Sequence, residues 1–225
     1  MPGTLSIIAT PIGNLEDISP RALRTMTECD VLYCEDTRVT AKILARYGLS
    51  VPLKSYREHN HDAAVREIIT HLQEGKRIGY VSDAGTPGIA DPGTRLVRDI
   101  LKSAPETVVT PLPGPSAVAA AMSVAGFPSA GCLFLAFPPH KKGRNGFFDD
   151  AMASRYPVVL YESPHRIFKA LEAIAERDPM RRLCVCRELT KMFETVYRGT
   201  ASEIRAMLEA TSAKGEFVIV IEGTP

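Results

Sequence analysis

Three short windows of this 225-residue chain gather the residues best suited to shaping a ligand cleft: Pro11–Asn14, Gly85–Gly93 and Pro111–Pro115. They hold six of the 17 prolines and five of the 16 glycines. Proline gives a loop a fixed shape, and glycine lets backbone approach a ligand closely. Each window directly follows a run that reads as a parallel strand, and open α/β sheets bind ligands beyond the carboxyl ends of their strands. A single such loop would be an ordinary turn; three on one sheet edge point to a small-molecule cleft. Asp83 is its main charge. That suits an uncharged heterocycle with a zwitterionic tail better than a polyphosphate.

Other chemistries are excluded by spacing. No two glycines are separated by a single residue, so the dinucleotide fingerprint G-x-G-x-x-G is missing. Gly88 and Gly93 have the spacing of a P-loop, but Thr94 stands where its lysine belongs. There is no G-x-S-x-G nucleophile elbow. Glu58–His59–Asn60–His61–Asp62 sets two histidines two apart at a helix entry, a pattern better read as caps and surface hydrogen bonds than as a metal site. No metal is expected. The five cysteines form no C-x-x-C pair, which predicts reduced, mostly buried thiols in a cytoplasmic protein.

Composition agrees with a soluble globular protein. Hydrophobic residues make up 45% and charged residues 24%, and 27 basic against 26 acidic residues leave a net charge of +1. That excludes a disordered chain, a coiled coil and a polycation. The longest apolar runs, such as Ala117–Met122, are too short for a membrane span, and no basic segment precedes the first apolar stretch as a signal peptide would require. One local exception is His140–Lys141–Lys142–Gly143–Arg144, with no acid between Cys132 and Phe148. It reads either as a solvated loop or as a phosphate-contacting patch.

The elements that must position these windows alternate. Strands are expected near Thr4–Ala9, Val31–Cys34, Pro52–Tyr56, Arg77–Ser82 and Thr107–Thr110, with amphipathic helices between them. Ser19–Pro20 and Asp91–Pro92 each read as a cap followed by proline at the first helical position, and Asn60 as the cap of a helix ending at Gly75. Such alternation predicts right-handed crossovers and a mainly parallel sheet. The fold class is therefore α/β. Pro111–Pro115 reads as a hinge between an N-terminal domain, 1–112, and a C-terminal domain, 116–225. Past it come a small-residue helix, Ser116–Ala125, and strands near Cys132–Phe137, Val158–Glu162, Leu183–Glu188, Thr195–Thr200 and Glu216–Ile221. Helices are expected over Pro164–Arg177 and Ala201–Thr211, and the close strand spacing predicts a mixed second sheet.

Six ordered motifs make the sequence resemble a known family. They are Thr10–Leu15, Glu35–Arg38, Ser82–Pro87, Leu112–Pro115, Tyr161–Arg166, and Arg187–Lys191 followed by Glu194 and Lys214–Glu216. Together they are similar to the tetrapyrrole-methylase-like S-adenosylmethionine methyltransferases, and more closely to the branch that methylates a cytidine ribose 2′-hydroxyl in small-subunit ribosomal RNA. The resemblance implies two α/β domains with S-adenosyl-L-methionine as cofactor in the cleft between them, a homodimer, a cytoplasmic location and no membrane. RNA, naked or in the assembled small subunit, would be the partner. Relatives are expected to continue past the last strand, whereas this sequence stops at Pro225.

Carried over by position, the resemblance sets the donor against Ile12, Gly13 and Asn14, with Asp83, Gly85 and Thr86 at its methionine end and Ser116 and Ala117 at the hinge. Tyr161, Glu162, Leu189, Gly215 and Glu216 would close over the adenosine. Tyr161 and Leu189 fit plain core packing equally well. Methyl transfer to a ribose hydroxyl asks for aligned reactants and a base. Glu188 and Lys191 are the first choice, ahead of Glu35, with Arg38 matched to the Glu35–Asp36 carboxylates. Lysine would serve only if neutral, and both acid–base pairs read equally as structural ion pairs. Lys141, Lys142, Arg144 and Arg187 are the expected RNA contacts. A methyltransferase acting on a tetrapyrrole-like small molecule and a non-catalytic RNA-binding module are the alternatives.

Overall fold

The computed structural model describes residues 3–224. Met1, Pro2 and Pro225, on which expectations about the two ends rest, lie outside the described residues. The chain divides into two compact units, Met1–Ser116 and Ala117–Pro225.

In the first unit, strands β1 (Thr4–Ile8), β2 (Val31–Cys34), β3 (Leu53–Ser55), β4 (Arg77–Val81) and β5 (Val108–Leu112) form one sheet in the order β3-β2-β4-β1-β5. Every pairing is parallel. Helices α1 (Pro20–Glu28), α2 (Thr37–Arg46), α3 (His61–Gln73) and α4 (Gly93–Ser103) alternate with the strands. Apolar spacing decides which face each covers. Ala22 and Met26 of α1 and Ile43 and Leu44 of α2 pack with Ile8, Leu32 and Val81. Ile68 and Leu72 of α3 and Leu96 and Ile100 of α4 pack on the opposite face with Leu5, Tyr33, Ile78 and Tyr80. Burying each such aliphatic side chain stabilises the fold by about 1.5–3 kcal/mol.

Three expectations at element ends are refined. Ser19 does cap α1, accepting the Ala22 amide at 3.0 Å with Pro20 at the first helical position. Asn60 stands at the cap position of α3 as expected but makes no side-chain cap bond; its side chain accepts the Arg57 amide and donates to the Ser55 carbonyl, stabilising the turn before the helix. Asp91–Pro92 is displaced by one residue, because α4 begins at Gly93 with Pro92 at the cap position; the Asp91 carboxylate accepts the amide of Gly93, the first helical residue, together with the loop amides of Gly88 and Ile89. Pro111 and Leu112 belong to β5, opposite Ile7 and Ile8, so that strand runs two residues past its expected end at Thr110. As an edge strand, β5 tolerates a proline that cannot donate.

The second unit carries β6 (Leu133–Ala136), β7 (Val158–Glu162), β8 (Leu183–Arg187), β9 (Thr195–Gly199) and β10 (Phe217–Ile221) in the order β6-β7-β10-β8-β9. Only β6 and β7 run parallel, so the sheet is mixed as the strand spacing predicts. Helix α5 (Ala117–Ala125) lays Ala121 and Ala125 on Cys184, Cys186 and Val220. Helices α7 (Ile167–Ala175) and α8 (Ala201–Ala210) cover the other face with α6 (Arg144–Ala153). The basic segment His140–Arg144 is loop as far as Gly143, which stands at the cap of α6 in a left-handed conformation, φ +83°; from the sequence no helix is expected over Arg144–Ala153. Cys29, Cys34, Cys184 and Cys186 are buried thiols, and Cys132 is exposed.

Candidate active site at the carboxyl edge of the first sheet

Strands β1 and β4 are neighbours, yet their chains leave towards helices on opposite faces of the sheet. The loops diverging there make the crevice in which open α/β sheets bind ligands. They are fastened to one another by main-chain bonds. Thr10 donates its amide to the Gly85 carbonyl at 2.9 Å, and Gly85 returns one to Thr10 at 3.1 Å. The fully buried Thr10 donates its hydroxyl to the Ser82 carbonyl at 3.2 Å. Gly85 takes φ +82°, and a side chain there would approach Ile12 Cγ2 to 3.2 Å. The third loop joins through Thr86 Oγ1, which donates to the Pro115 carbonyl at 3.0 Å. The three proline and glycine windows thus form one preorganised edge, with Gly13, Asn14 and Asp83 exposed along it. Asn14 accepts the Glu16 amide with its side chain.

Carboxylates brace the adjoining β2 end. Asp83 Oδ1 accepts the Asp36 amide at 2.9 Å, and Glu35 Oε1 accepts the Asp83 amide at 3.0 Å. Burial raises the pKa of both Glu35 and Asp83 above the ordinary carboxylate range, and the bonds from the amides do not offset it. Asp36 is held well below that range by hydrogen bonds from Arg38. The expected match of Arg38 with Glu35 is therefore corrected. Arg38 forks onto both oxygens of Asp36, at 3.0 and 2.6 Å, because Asp36 caps α2 two residues before it. Arg57, which no motif singled out, donates Nε to the Glu35 carbonyl at 2.7 Å.

Behind the loop Gly85–Gly93 lies a buried chain of polar groups. His61 places Nδ1 2.7 Å from the Tyr56 hydroxyl and Nε2 2.8 Å from Asp99 Oδ2. Tyr56 also donates to the Pro92 carbonyl at 3.3 Å. His61 therefore faces inward while His59 is exposed, and the two do not share a ligand.

In the second unit, the residues expected near the donor have varied surroundings. Tyr161 is half-buried, edge-on to Phe134 and Phe137 at 4.9 and 5.4 Å. Leu189 packs half-buried against the α5 side of the sheet. Glu162 is fully buried, accepts the Ser163 amide at 2.7 Å and pairs with Arg166 at 2.9 Å, so its carboxylate faces protein. Arg144, expected at the RNA, differs from its two neighbouring lysines. Its guanidinium turns inward, over the Phe148 ring at 5.0 Å and 3.9 Å from Glu162. Lys141 and Lys142 do stay exposed.

Glu188 and Lys191 form a closed cluster. Glu188 Oε1 accepts from Lys191 Nζ at 2.9 Å and from the Glu216 amide at 2.8 Å, and Lys191 also binds Glu216 Oε2 at 2.8 Å. Burial opposes the Lys191 charge, but hydrogen bonds to Glu216 and Glu188 prevail and raise its pKa. Burial likewise pushes Glu188 up, yet the Glu216 amide and Lys191 bring it below the usual range. Lys191 here is a cation, not a neutral base. Gly215, at φ +110°, would set a side chain 2.5 Å from Glu188 Cγ. Arg187 is tied to the Lys214 and Phe193 carbonyls.

Comparison with known proteins fits this architecture. The family model for tetrapyrrole (corrin/porphyrin) methylases matches residues 4–205. Ribosomal RNA small subunit methyltransferase I of Neisseria meningitidis serogroup B is 44% identical over 222 residues, which is 97% of this chain and 76% of that protein. The protein of the same name from Thermotoga maritima is 39% identical over 98% of this chain and 99% of its own length. Among solved structures, diphthine synthase superposes with a TM-score of 0.73 at 13% identity, over 98% of this chain and 90% of that one. A cobalt precorrin-4 methyltransferase gives 0.68 at 16%, over 97% and 94%. These distant structures share the fold.

Proposed function

The chain belongs to the tetrapyrrole (corrin/porphyrin) methylase family, within the ribosomal RNA small subunit methyltransferase I group, and on that premise we propose that it methylates small-subunit ribosomal RNA at a cytidine ribose 2′-hydroxyl. The observation that carries this reading is the fastened edge of loops at the β1/β4 divergence, with the sequence similarity running almost end to end. S-adenosylmethionine, when bound, supplies an electrophilic methyl group on a sulfur that leaves uncharged. The residues present fit it. Backbone at Ile12, Gly13 and Thr86 offers amides and carbonyls with little charge, Gly85 ties the loops together through its bonds to Thr10, Asn14 and Ser116 border the loops, and the exposed Asp83 carboxylate suits an ammonium group.

The chain's own task is to hold the ribose oxygen in line and remove its proton. Alignment contributes up to about 7–11 kcal/mol, and a positioned base about 10²–10⁴-fold. Glu35 is the base: its carboxyl is raised by burial, Oε1 is held by the Asp83 amide, and Oε2 takes the proton. Lys191 and Glu188 support the loop instead, and Lys141 and Lys142 contact phosphate. The protein works in the cytoplasm as a homodimer; Met192 and Phe193, 90% and 66% exposed, supply an apolar patch for self-association. Among the described residues, no helix is long and apolar enough to cross a membrane.

Incubating the protein with labelled S-adenosylmethionine and either small ribosomal subunits or naked RNA, then locating the label, tests the reading. Label on a cytidine 2′-oxygen supports it. Label elsewhere than on a cytidine 2′-oxygen, or none with donor bound, overturns it.

A further inference from the structure

The carboxyl edge of the first sheet opens into a cavity of about 440 Å³ lined by Glu35, Arg57, Glu58, Ala90, Asp91 and Pro92. Of these, only Glu35 has a role so far. The walls are fixed for identifiable reasons. Asp91 accepts the amides of Gly88, Ile89 and Gly93 at 2.7, 3.1 and 2.7 Å, and Ala90 between them is held at φ +65°. A left-handed alanine is strained, and such strain persists only where neighbours over-determine it. Pro92 is propped from behind by Tyr56, itself hydrogen-bonded to His61, which is in turn bonded to Asp99.

Arg57 is equally constrained. Its amide binds Asn60 Oδ1 at 2.7 Å, Nε binds the Glu35 carbonyl at 2.7 Å, and Nη2 lies 3.7 Å from Asp36. That leaves the guanidinium half-exposed with its plane set. Glu58 is steadied by Arg95, which meets Oε1 at 2.5 Å.

Three carboxylates and one guanidinium would repel a phosphate. They suit a neutral, flat group that offers N–H donors beside an acceptor, since carboxylates accept from amino groups and arginine donates to ring acceptors. A nucleobase with an exocyclic amino group has that edge, and the cavity has room for it.

We propose that this cavity receives the unpaired base of the nucleotide being methylated, with Glu58 accepting from an exocyclic amino group and Arg57 donating to the adjacent ring acceptor. The inference rests on the RNA reading above and gives it a base-recognition subsite. Extruding a base into a pocket beside the chemistry is how enzymes reach atoms held in a nucleic-acid fold. Glu35 in the same wall then sits beside the sugar. Uracil would turn a carbonyl towards the Glu58 carboxylate and be rejected.

Fluorescence anisotropy with oligocytidine and oligouridine reads the base preference, and label transfer to small ribosomal subunits reads the reaction. The wild-type protein should bind oligocytidine about fivefold or more tightly than oligouridine. Glu58→Gln and Glu58→Ala should each erase that difference, and Arg57→Lys should raise KM for RNA more than it lowers kcat. Equal binding of the two oligomers by the wild type, or a preference that survives both Glu58 variants, overturns the pocket even though label still reaches RNA. Failure of the wild type to label RNA at all overturns the RNA reading itself.

Discussion

Asp83 fastens the loop after β4 to the end of β2 by accepting the Asp36 backbone amide at 2.9 Å. One short side chain thereby sets the spacing of two loops, and it is the same carboxylate proposed for the donor's ammonium group. Asp83→Ala should weaken donor affinity at least tenfold and unpin the Asp36 amide. In the wild type, donor at 100 times its dissociation constant should add about 2.7 kcal/mol of stability. Calorimetry and thermal melts with and without S-adenosylmethionine check both; an undiminished shift in the variant removes Asp83 from the donor site.

Glu35→Gln separates chemistry from stability. Burial raises the Glu35 carboxyl in the folded protein, so the folded state binds that proton more readily than the unfolded chain does. Its contribution favours folding in acid and is withdrawn as pH rises from the ordinary carboxylate range through the raised folded value. Glutamine can still accept the Asp83 amide but carries no charge. The variant should therefore match the wild type near pH 4 and exceed it in urea midpoint near pH 8. Single-turnover methylation should fall about 10²–10⁴-fold with donor and RNA affinities kept. A normal rate returns Glu35 to bracing alone.

What could be read in advance follows the range of each interaction. The α/β class, the parallel first sheet and the Ser19–Pro20 cap depend on local apolar period and turn chemistry, and the sequence displays both. Partner choice among charges depends on geometry between distant segments. Arg38 chose Asp36 because that residue caps α2, which spacing alone left open. Arg57 carried no motif, since its role arises only when β3 pairs beside β2. Arg144 looked like a solvent cation until α6 formed and turned it onto Phe148 and Glu162.

The Glu188–Lys191–Glu216 cluster should behave as scaffolding. Lys191 is raised, so its contribution is present below the ordinary lysine pKa and lost as pH climbs through the folded value. Glu188 is lowered, so its share is present above the ordinary carboxylate pKa and lost as pH falls through the folded value. Lys191→Met should cost about 1–2 kcal/mol at neutral pH and less in strong acid. Gly215→Ala, forced towards Glu188 at φ +110°, should cost about 1–3 kcal/mol. Urea titrations across pH check this. Normal stability together with a lost single-turnover rate in Lys191→Met would restore the lysine to the chemical step.

The basic segment before α6 divides into two kinds of cation, and salt dependence tells them apart. Lys141 and Lys142 are exposed, whereas only 16% of the Arg144 side chain meets solvent, and it lies 3.9 Å from the buried Glu162. Each phosphate neutralised adds about 0.7–0.9 to the slope of log affinity against log salt. Replacing Lys141 and Lys142 together by alanine should lower that slope by about 1.4–1.8 without changing donor affinity or thermal stability. Arg144→Ala should do the reverse. It removes the stack on Phe148 and leaves Glu162 with Arg166 as its remaining cation, a partly uncompensated buried charge. That should cost about 2–3 kcal/mol with the slope unchanged. The slope is read from RNA binding titrated between low and physiological salt, and stability from urea midpoints. If Arg144→Ala flattens the slope and keeps its stability, the arginine swings out to the RNA; if the double lysine variant leaves the slope intact, the segment is solvated surface and the RNA is held elsewhere.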